Sequence, residues 1–426
     1  MRNPGSRFSS GLEQWTRLKG KPFVTVSPSL IPDGSDFGGF TPGTTSCGIV
    51  EAYTSGAVYV HLLPGTFTFT ATPDVNLTHV NSVFLCGSGQ GVTLLQAASD
   101  IDTSAGQYLI PMVAITSGLF IGVQHLSFVN PVNGVGPISF GCANAEPVDG
   151  FYVDDVGFVG AWTQAPIQNT RGEYTQYQTM RVQDCYFDSI DGDCIDVQAS
   201  YTSNPFGSRF VMSGNTFKDI NGNPALAIYS NGATGTAPSV FIIESNTYIY
   251  TAGGGTVNPF VTSWFEADGQ TLDTILIHDN VIQGAQCIFE LTGNSGSYTG
   301  NVIGKLQISG NAVSGLYQGA YVSSIAAAKV TNISITNNIG YNPQGFGITT
   351  PAVPASGTPQ KNTFPFPVEI RLKTAGTGTA YTLTDPSGNA ETFTVTLAEG
   401  MAWELDPGAS ITLTYSSAPT WSWYGE

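Results

Sequence analysis

Ser213-Gly214-Asn215-Thr216-Phe217, Glu244-Ser245-Asn246-Thr247-Tyr248, His278-Asp279-Asn280-Val281-Ile282 and Ser309-Gly310-Asn311-Ala312-Val313 are one short phrase written four times. Looser copies run outward from it: Gln124-His125-Leu126-Ser127-Phe128, Asp154-Asp155-Val156-Gly157-Phe158 and Gln183-Asp184-Cys185-Tyr186-Phe187 before, Thr336-Asn337-Asn338-Ile339-Gly340 after. The middle positions of these eight copies step by 30, 29, 30, 31, 34, 31 and 27 residues. Each later copy follows a short apolar or alternating strand, such as 240–243 or 333–335, and no 3.6-residue periodicity is sustained. A unit of this size cannot bury itself, whereas stacked units share one continuous core. Asn recurring at the middle position in five successive copies predicts a ladder of side-chain amides, and Phe or Tyr two residues later predicts a second stack. The pattern is that of an all-β chain, a right-handed parallel β-helix.

Composition agrees. The chain has 426 residues with 51 Gly and 25 Pro, and only 11% of it is charged. Its surface is therefore covered by Ser, Thr, Asn, Gln and Gly, which suits outer strand faces and not helical bundles. The net charge of −17 makes nucleic acid an improbable partner and repels a polyanionic glycan unless cations bridge it. Five of the 14 basic residues (Arg2, Arg7, Arg17, Lys19 and Lys21) lie in the first 21 positions, so residues 1–30 read as an N-terminal tether. No run of 18 apolar residues is present to span a membrane. The opening Met1-Arg2-Asn3-Pro4-Gly5-Ser6 has no apolar stretch of the secretory type. Six Cys (47, 86, 142, 185, 194 and 287) lack metal or disulfide spacing and read as small buried apolar residues.

The β-helix should occupy residues 31–341. Residues 342–367 hold six Pro and read as an extended linker. From 368 to 426, alternating strands separated by turns at Asp385-Pro386-Ser387-Gly388 and Asp406-Pro407-Gly408 predict a small C-terminal β-sandwich, with Trp421 and Trp423 filling its core or, as the alternative, forming a trimer contact or glycan platform.

The repeats resemble the pectate-lyase-like superfamily of right-handed parallel β-helices, including the tailspikes of phages and other viruses. The stretch from Pro32 to Leu95 adds to the likeness. Asp33-Gly34-Ser35-Asp36-Phe37 leads to a strand ending in Pro64-Gly65-Thr66-Phe67, and a further strand ends in Gly87-Ser88-Gly89. The resemblance covers about residues 30–340 and implies the fold; its members include lyases, hydrolases, epimerases and inert adhesins. By analogy with the spikes it also implies a homotrimer.

Alternation places the outward residues. Inward Ile195 and Val197 leave Cys194 and Asp196 outward, inward Leu226 and Ile228 leave Tyr229, inward Val261 and Phe265 leave Trp264 and Glu266, and inward Phe289 and Leu291 leave Glu290. These strands share one place in the repeat, so their faces should align, with Asp191 and Asp193 in the turn beside them. Asp193, Asp196, Glu266 and Glu290 are the candidate catalytic carboxylates, and Tyr229 and Trp264 the candidate substrate-binding rings. Adjacent strands would set carboxylates about 5 Å apart and alternate strands about 10 Å. Both separations of the two-carboxylate glycosidases, about 5 Å and about 6.5–9.5 Å, are then within reach. The plain alternative is solvated acid on an exposed sheet and turn Asp serving backbone.

Gly192-Asp193-Cys194-Ile195 is similar to the Asp-Asp-Cys-Ile stretch of polygalacturonases with Gly at the first Asp, but the Gly-His-Gly and Arg-Ile-Lys motifs are missing from the helix. A lyase would need a basic residue beside a calcium-binding Asp cluster. Between residues 100 and 340 only Arg171, Arg181, Arg209, Lys218, Lys305 and Lys329 are available, and Arg181 and Arg209 fall on the preceding strand. The dispersed His61, His79, His125 and His278 make no metal pattern; His125 and His278 read as turn residues at equivalent positions. No metal site or cofactor is implied, calcium being the one ion the resemblance leaves open.

The expectation is a virus- or phage-type spike, on a virion surface or extracellular, that binds a cell-surface polysaccharide, with carboxylate-assisted cleavage an open second step. The alternatives are a secreted lyase or hydrolase of the superfamily and a non-enzymatic structural or adhesion protein.

Overall fold

The computed structural model describes residues 23–71, 77–79, 82–99, 107–114, 119–142, 148–171, 177–198, 208–230, 239–251, 258–265, 269–293, 300–316, 320–323, 329–339, 350–364, 367–406 and 408–425. Through residue 339 the strands form a 19-stranded and a nine-stranded sheet. Every pairing in both is parallel, for example Tyr177–Gln183 with Ser208–Ser213, and Ile195–Gln198 with Leu226–Ser230. The chain visits the two sheets in turn, and each strand pairs with its counterpart about 30 residues on, so the fold is a parallel β-solenoid. Among the described residues a short helix, Ile49–Thr54, buries Ile49, Ala52 and Tyr53 beside the first strands.

The recurring phrase is where the larger sheet bends. The residue before each middle position is left-handed: His125, Asp155, Asp184, Ser245, Asp279 and Asn337 have φ of 52–57°, and Gly214 and Gly310 both have φ of 70°. That conformation costs a branched or bulky residue about 1–2 kcal/mol, hence the restriction to Gly and short polar side chains, with one His. His278 lies one residue before the bend, opposite Glu244, so the two histidines are not equivalent as the repeat suggested.

Just past the bend the amides form the ladder. Asn246 Oδ1 accepts from Asn215 N (3.0 Å) and Nδ2 (2.9 Å), and Asn280 Oδ1 accepts from Asn246 N and Nδ2 (both 2.9 Å). Asn311 and Asn338 continue it, and Asn215 Oδ1 begins it by accepting from Cys185 N at 2.9 Å. Two residues on, Phe128, Phe158, Phe187 and Phe217 stack with centroids 5.5, 4.8 and 4.7 Å apart. The ring column then ends, because Tyr248 turns edge-on to Phe260 and Ile282 and Val313 follow.

The C-terminal block is two antiparallel sheets, of four and three strands. Ile370, Leu372, Trp403, Leu405, Ile411, Leu413, Trp421 and Trp423 are buried, and the Tyr381 ring of one sheet meets Trp403 of the other at 5.1 Å. This is the sandwich, with both tryptophans in its core. The described part of the Pro-rich segment is fastened to it. Pro359–Lys361 is an edge strand, where a missing N–H is tolerated, and Pro351 O accepts from Trp421 Nε1 at 2.7 Å. Among the described residues no helix is long and apolar enough to cross a membrane.

Candidate functional site

The register of the nine-stranded sheet puts the expected residues in two outward columns. One runs Gln168, Asp196, Ala227, Thr262, Glu290, Val322, and the other Tyr229, Trp264, Thr292. The sheet thus brings together Asp196, Tyr229, Trp264 and Glu290; Glu266 lies outside the described residues. Tyr229 and Trp264 are direct neighbours with stacked rings, 6.2 Å between centroids and 21° between planes. This face is no open, solvated surface: Ala227 and Thr262 are buried and Asp196 is only 9% exposed.

Asp193 joins from the turn before Ile195. Asp191 N and Gly192 N both donate to Trp162 O, which fixes that turn. A Cβ at Gly192 would lie 2.9 Å from Thr163 O, so the position that carries Asp in polygalacturonases has no room for a side chain here. Trp162 itself is fully buried in the core. Asp191 is exposed and serves the turn, its backbone oxygen accepting from Asn223 Nδ2 at 2.9 Å.

The Asp193 and Asp196 carboxyls touch. Burial and the neighbouring Asp193 charge push Asp196 well above the usual carboxylate range, and burial raises Asp193 too. Two hydrogen bonds, one from Asp196 and one from Tyr229 OH (3.2 Å to Oδ2), favour the ionised form of Asp193. Burial and the shared contact thus favour a protonated form of the pair as a unit. Asp196 Oδ1, Thr262 Oγ1 and Trp264 Nε1 are buried and make no hydrogen bond among the described residues. Glu290 is raised by burial alone.

Distance decides what this arrangement can do. Asp196 and Glu290 share a column but are three strand steps apart (196 to 227 to 262 to 290), about 14 Å at the usual strand spacing. Asp193 and Asp196 are in hydrogen-bond contact. Neither pair has the separation of about 5 Å or about 6.5–9.5 Å that the two glycosidase geometries require. The expectation that neighbouring strands would supply a catalytic pair is thus not met by the described carboxylates. They form a buried acidic pair beside the stacked Tyr229 and Trp264 rings. Thr262 was overlooked because alternation alone does not single out a Thr, although its register between Asp196 and Glu290 could have. Arg181 and Arg209 are on the larger sheet. Among the described residues no group of three or more His, Cys, Asp or Glu could hold a metal ion.

No protein-family profile matches the chain, and no curated protein does. Among solved structures it is similar to ORF18 of Geobacillus virus E2, with 13% identity over 99% of this chain and 82% of that one and a TM-score of 0.39. It is also similar to the catalytic domain of a GH87 alpha-1,3-glucanase in complex with tetrasaccharides (11% identity, 75% and 69% covered, TM-score 0.34). A third likeness is to the tailspike protein of E. coli bacteriophage HK620 in complex with a pentasaccharide (10% identity, 98% and 93% covered, TM-score 0.25). At these scores the likeness carries no chemistry over to this chain.

Proposed function

We propose that the protein is a phage- or virus-type spike of the pectate-lyase-like β-helix superfamily that binds a cell-surface polysaccharide on the outer face of its nine-stranded sheet. The observation that carries this reading is the stacked Tyr229–Trp264 pair on adjacent strands beside the buried Asp193–Asp196 unit. Aromatic faces take the apolar face of a pyranose, and convergent polar groups fix its hydroxyls. As a spike the chain would assemble as a homotrimer, which sedimentation of the full chain tests.

Binding to a panel of bacterial and archaeal surface polysaccharides is the direct experiment. Trp264→Ala should weaken the bound polymer by about 2 kcal/mol, roughly thirty-fold in Kd, with the unfolding midpoint unchanged. Undiminished binding by that variant would move the site elsewhere. Hydrolysis is a second reading, favoured by the buried Asp196 carboxyl, which burial and the Asp193 charge raise above the usual carboxylate range. It needs another carboxylate at glycosidase distance, for which Glu266 is the remaining candidate. Reducing-end release that Asp196→Asn and Glu266→Gln each abolish would establish it, and binding without release would leave a receptor-binding spike.

A further inference from the structure

We infer that this site takes uncharged sugars and rejects polymers bearing carboxylate, sulfate or phosphate groups, an inference that rests on the glycan-binding reading above. The first argument is charge. Arg171 ends the strand Ile167–Arg171, beside Ile195–Gln198 in the site's own sheet; from residue 172 to 304 the chain's only Lys and Arg are Arg181, Arg209 and Lys218. All three belong to strands of the larger sheet, and Lys218 is paired with Asp188 at 3.3 Å. The sequence segments that follow the four site strands (199–207, 231–238, 266–268 and 294–299) contain no Lys or Arg at all. An anionic sugar placed between Asp193 and Glu290 would meet like charge with no Lys or Arg on the four site strands to offset it, and like-charge contact is how interfaces exclude wrong partners.

The second argument is hydrogen-bond polarity. The site's three buried atoms that make no hydrogen bond among the described residues are one acceptor (Asp196 Oδ1), one donor (Trp264 Nε1) and one group that can be either (Thr262 Oγ1). A sugar hydroxyl donates and accepts, so it satisfies all three. A carboxylate, sulfate or phosphate only accepts and leaves Asp196 Oδ1 unmatched beside a negative group. The third argument is the Tyr229–Trp264 stack, which binds through C–H faces and needs no charge.

A consequence follows for chemistry. β-Elimination removes a proton α to a uronyl carbonyl, so a site whose sugars carry neither a uronate carboxylate nor its ester cannot be a lyase. Any cleavage there adds water across the glycosidic C–O bond, hydroxyl to the anomeric carbon and proton to the leaving oxygen, and makes no unsaturated product.

The test uses the full chain, a chelator to remove bridging cations, and matched probes: neutral glucans, mannans and galactans and the C6-oxidised uronate forms of the same polymers. At least one neutral polymer should bind, its oxidised form should bind at least about tenfold more weakly, and added salt or Glu290→Gln should narrow that gap. Trp264→Ala, checked for an unchanged unfolding midpoint, should weaken the neutral polymer. Equal or tighter binding of the oxidised form, or an unsaturated product, would overturn the inference and leave glycan binding standing. No binding by any polymer of either kind would overturn both.

Discussion

At the scale of single residues, Asp196 makes a prediction with a definite sign. Its pKa in the folded protein is raised well above 3.8, so between the two values the unfolded chain binds fewer protons than the folded one. Stability from this group is fully present below pH 3.8 and is lost as pH rises through the folded value, with a limiting slope of about 1.4 kcal/mol per pH unit. Asp196→Asn keeps the neutral shape and removes the titration. Its stability relative to wild type should grow as pH is raised from about 4 toward 8. Urea unfolding of the two proteins across that range checks it, and parallel curves would mean that Asp196 is ionised in the fold. Asp193 shows why a motif cannot be lifted residue by residue. Its turn is set by Trp162 O and the close approach at Gly192, so the chain keeps the second acidic residue of a familiar pair while its geometry excludes the first.

At the scale of elements, the amide ladder is the joint between successive turns of the solenoid. Asn246 receives two hydrogen bonds from Asn215 and gives its Nδ2 to Met212 O, Glu244 O and Asn280 Oδ1. Asn246→Ala strands buried partners on both sides and should cost roughly 3 kcal/mol or more. Asn246→Asp keeps the acceptor but loses the donor and buries a charge, so it should be no milder. Thermal or urea unfolding ranks the two, and an Asp variant as stable as wild type would show that the donor half is dispensable. This joint was legible in the sequence because a solenoid is nearly one-dimensional: a repeat of about 30 residues fixes which side chains are neighbours. The inward and outward sense of Asp196, Tyr229, Trp264 and Glu290 was legible for the same reason. The spacing of the site was not, since it depends on how many strands separate two residues in one column. Nor was the Asp193–Asp196 contact, which is made by a turn whose path depends on Trp162, some 30 residues earlier.

For the whole molecule, the deciding quantity is a net charge of −17 on a surface with few cations. Among the described residues the ion pairs are Lys218–Asp188, Arg371–Glu369 and three histidine contacts, each with a partly or largely exposed partner. Such pairs contribute about 0–1 kcal/mol each. Stability therefore comes from the continuous apolar core and the ladders, while long-range electrostatics works against the compact state. Raising sodium chloride shortens the screening length from about 30 Å near 0.01 M to about 3 Å near 1 M, weakening self-repulsion more than it weakens the few pairs. The melting temperature should accordingly rise with salt. The same screening should loosen the site's discrimination against anionic polymers, so stability and selectivity should move in opposite directions. Calorimetry and glycan binding over one salt series would measure both, and a melting temperature that fell with salt would show that attractive ion pairs, not the apolar stack, dominate the electrostatics of the fold.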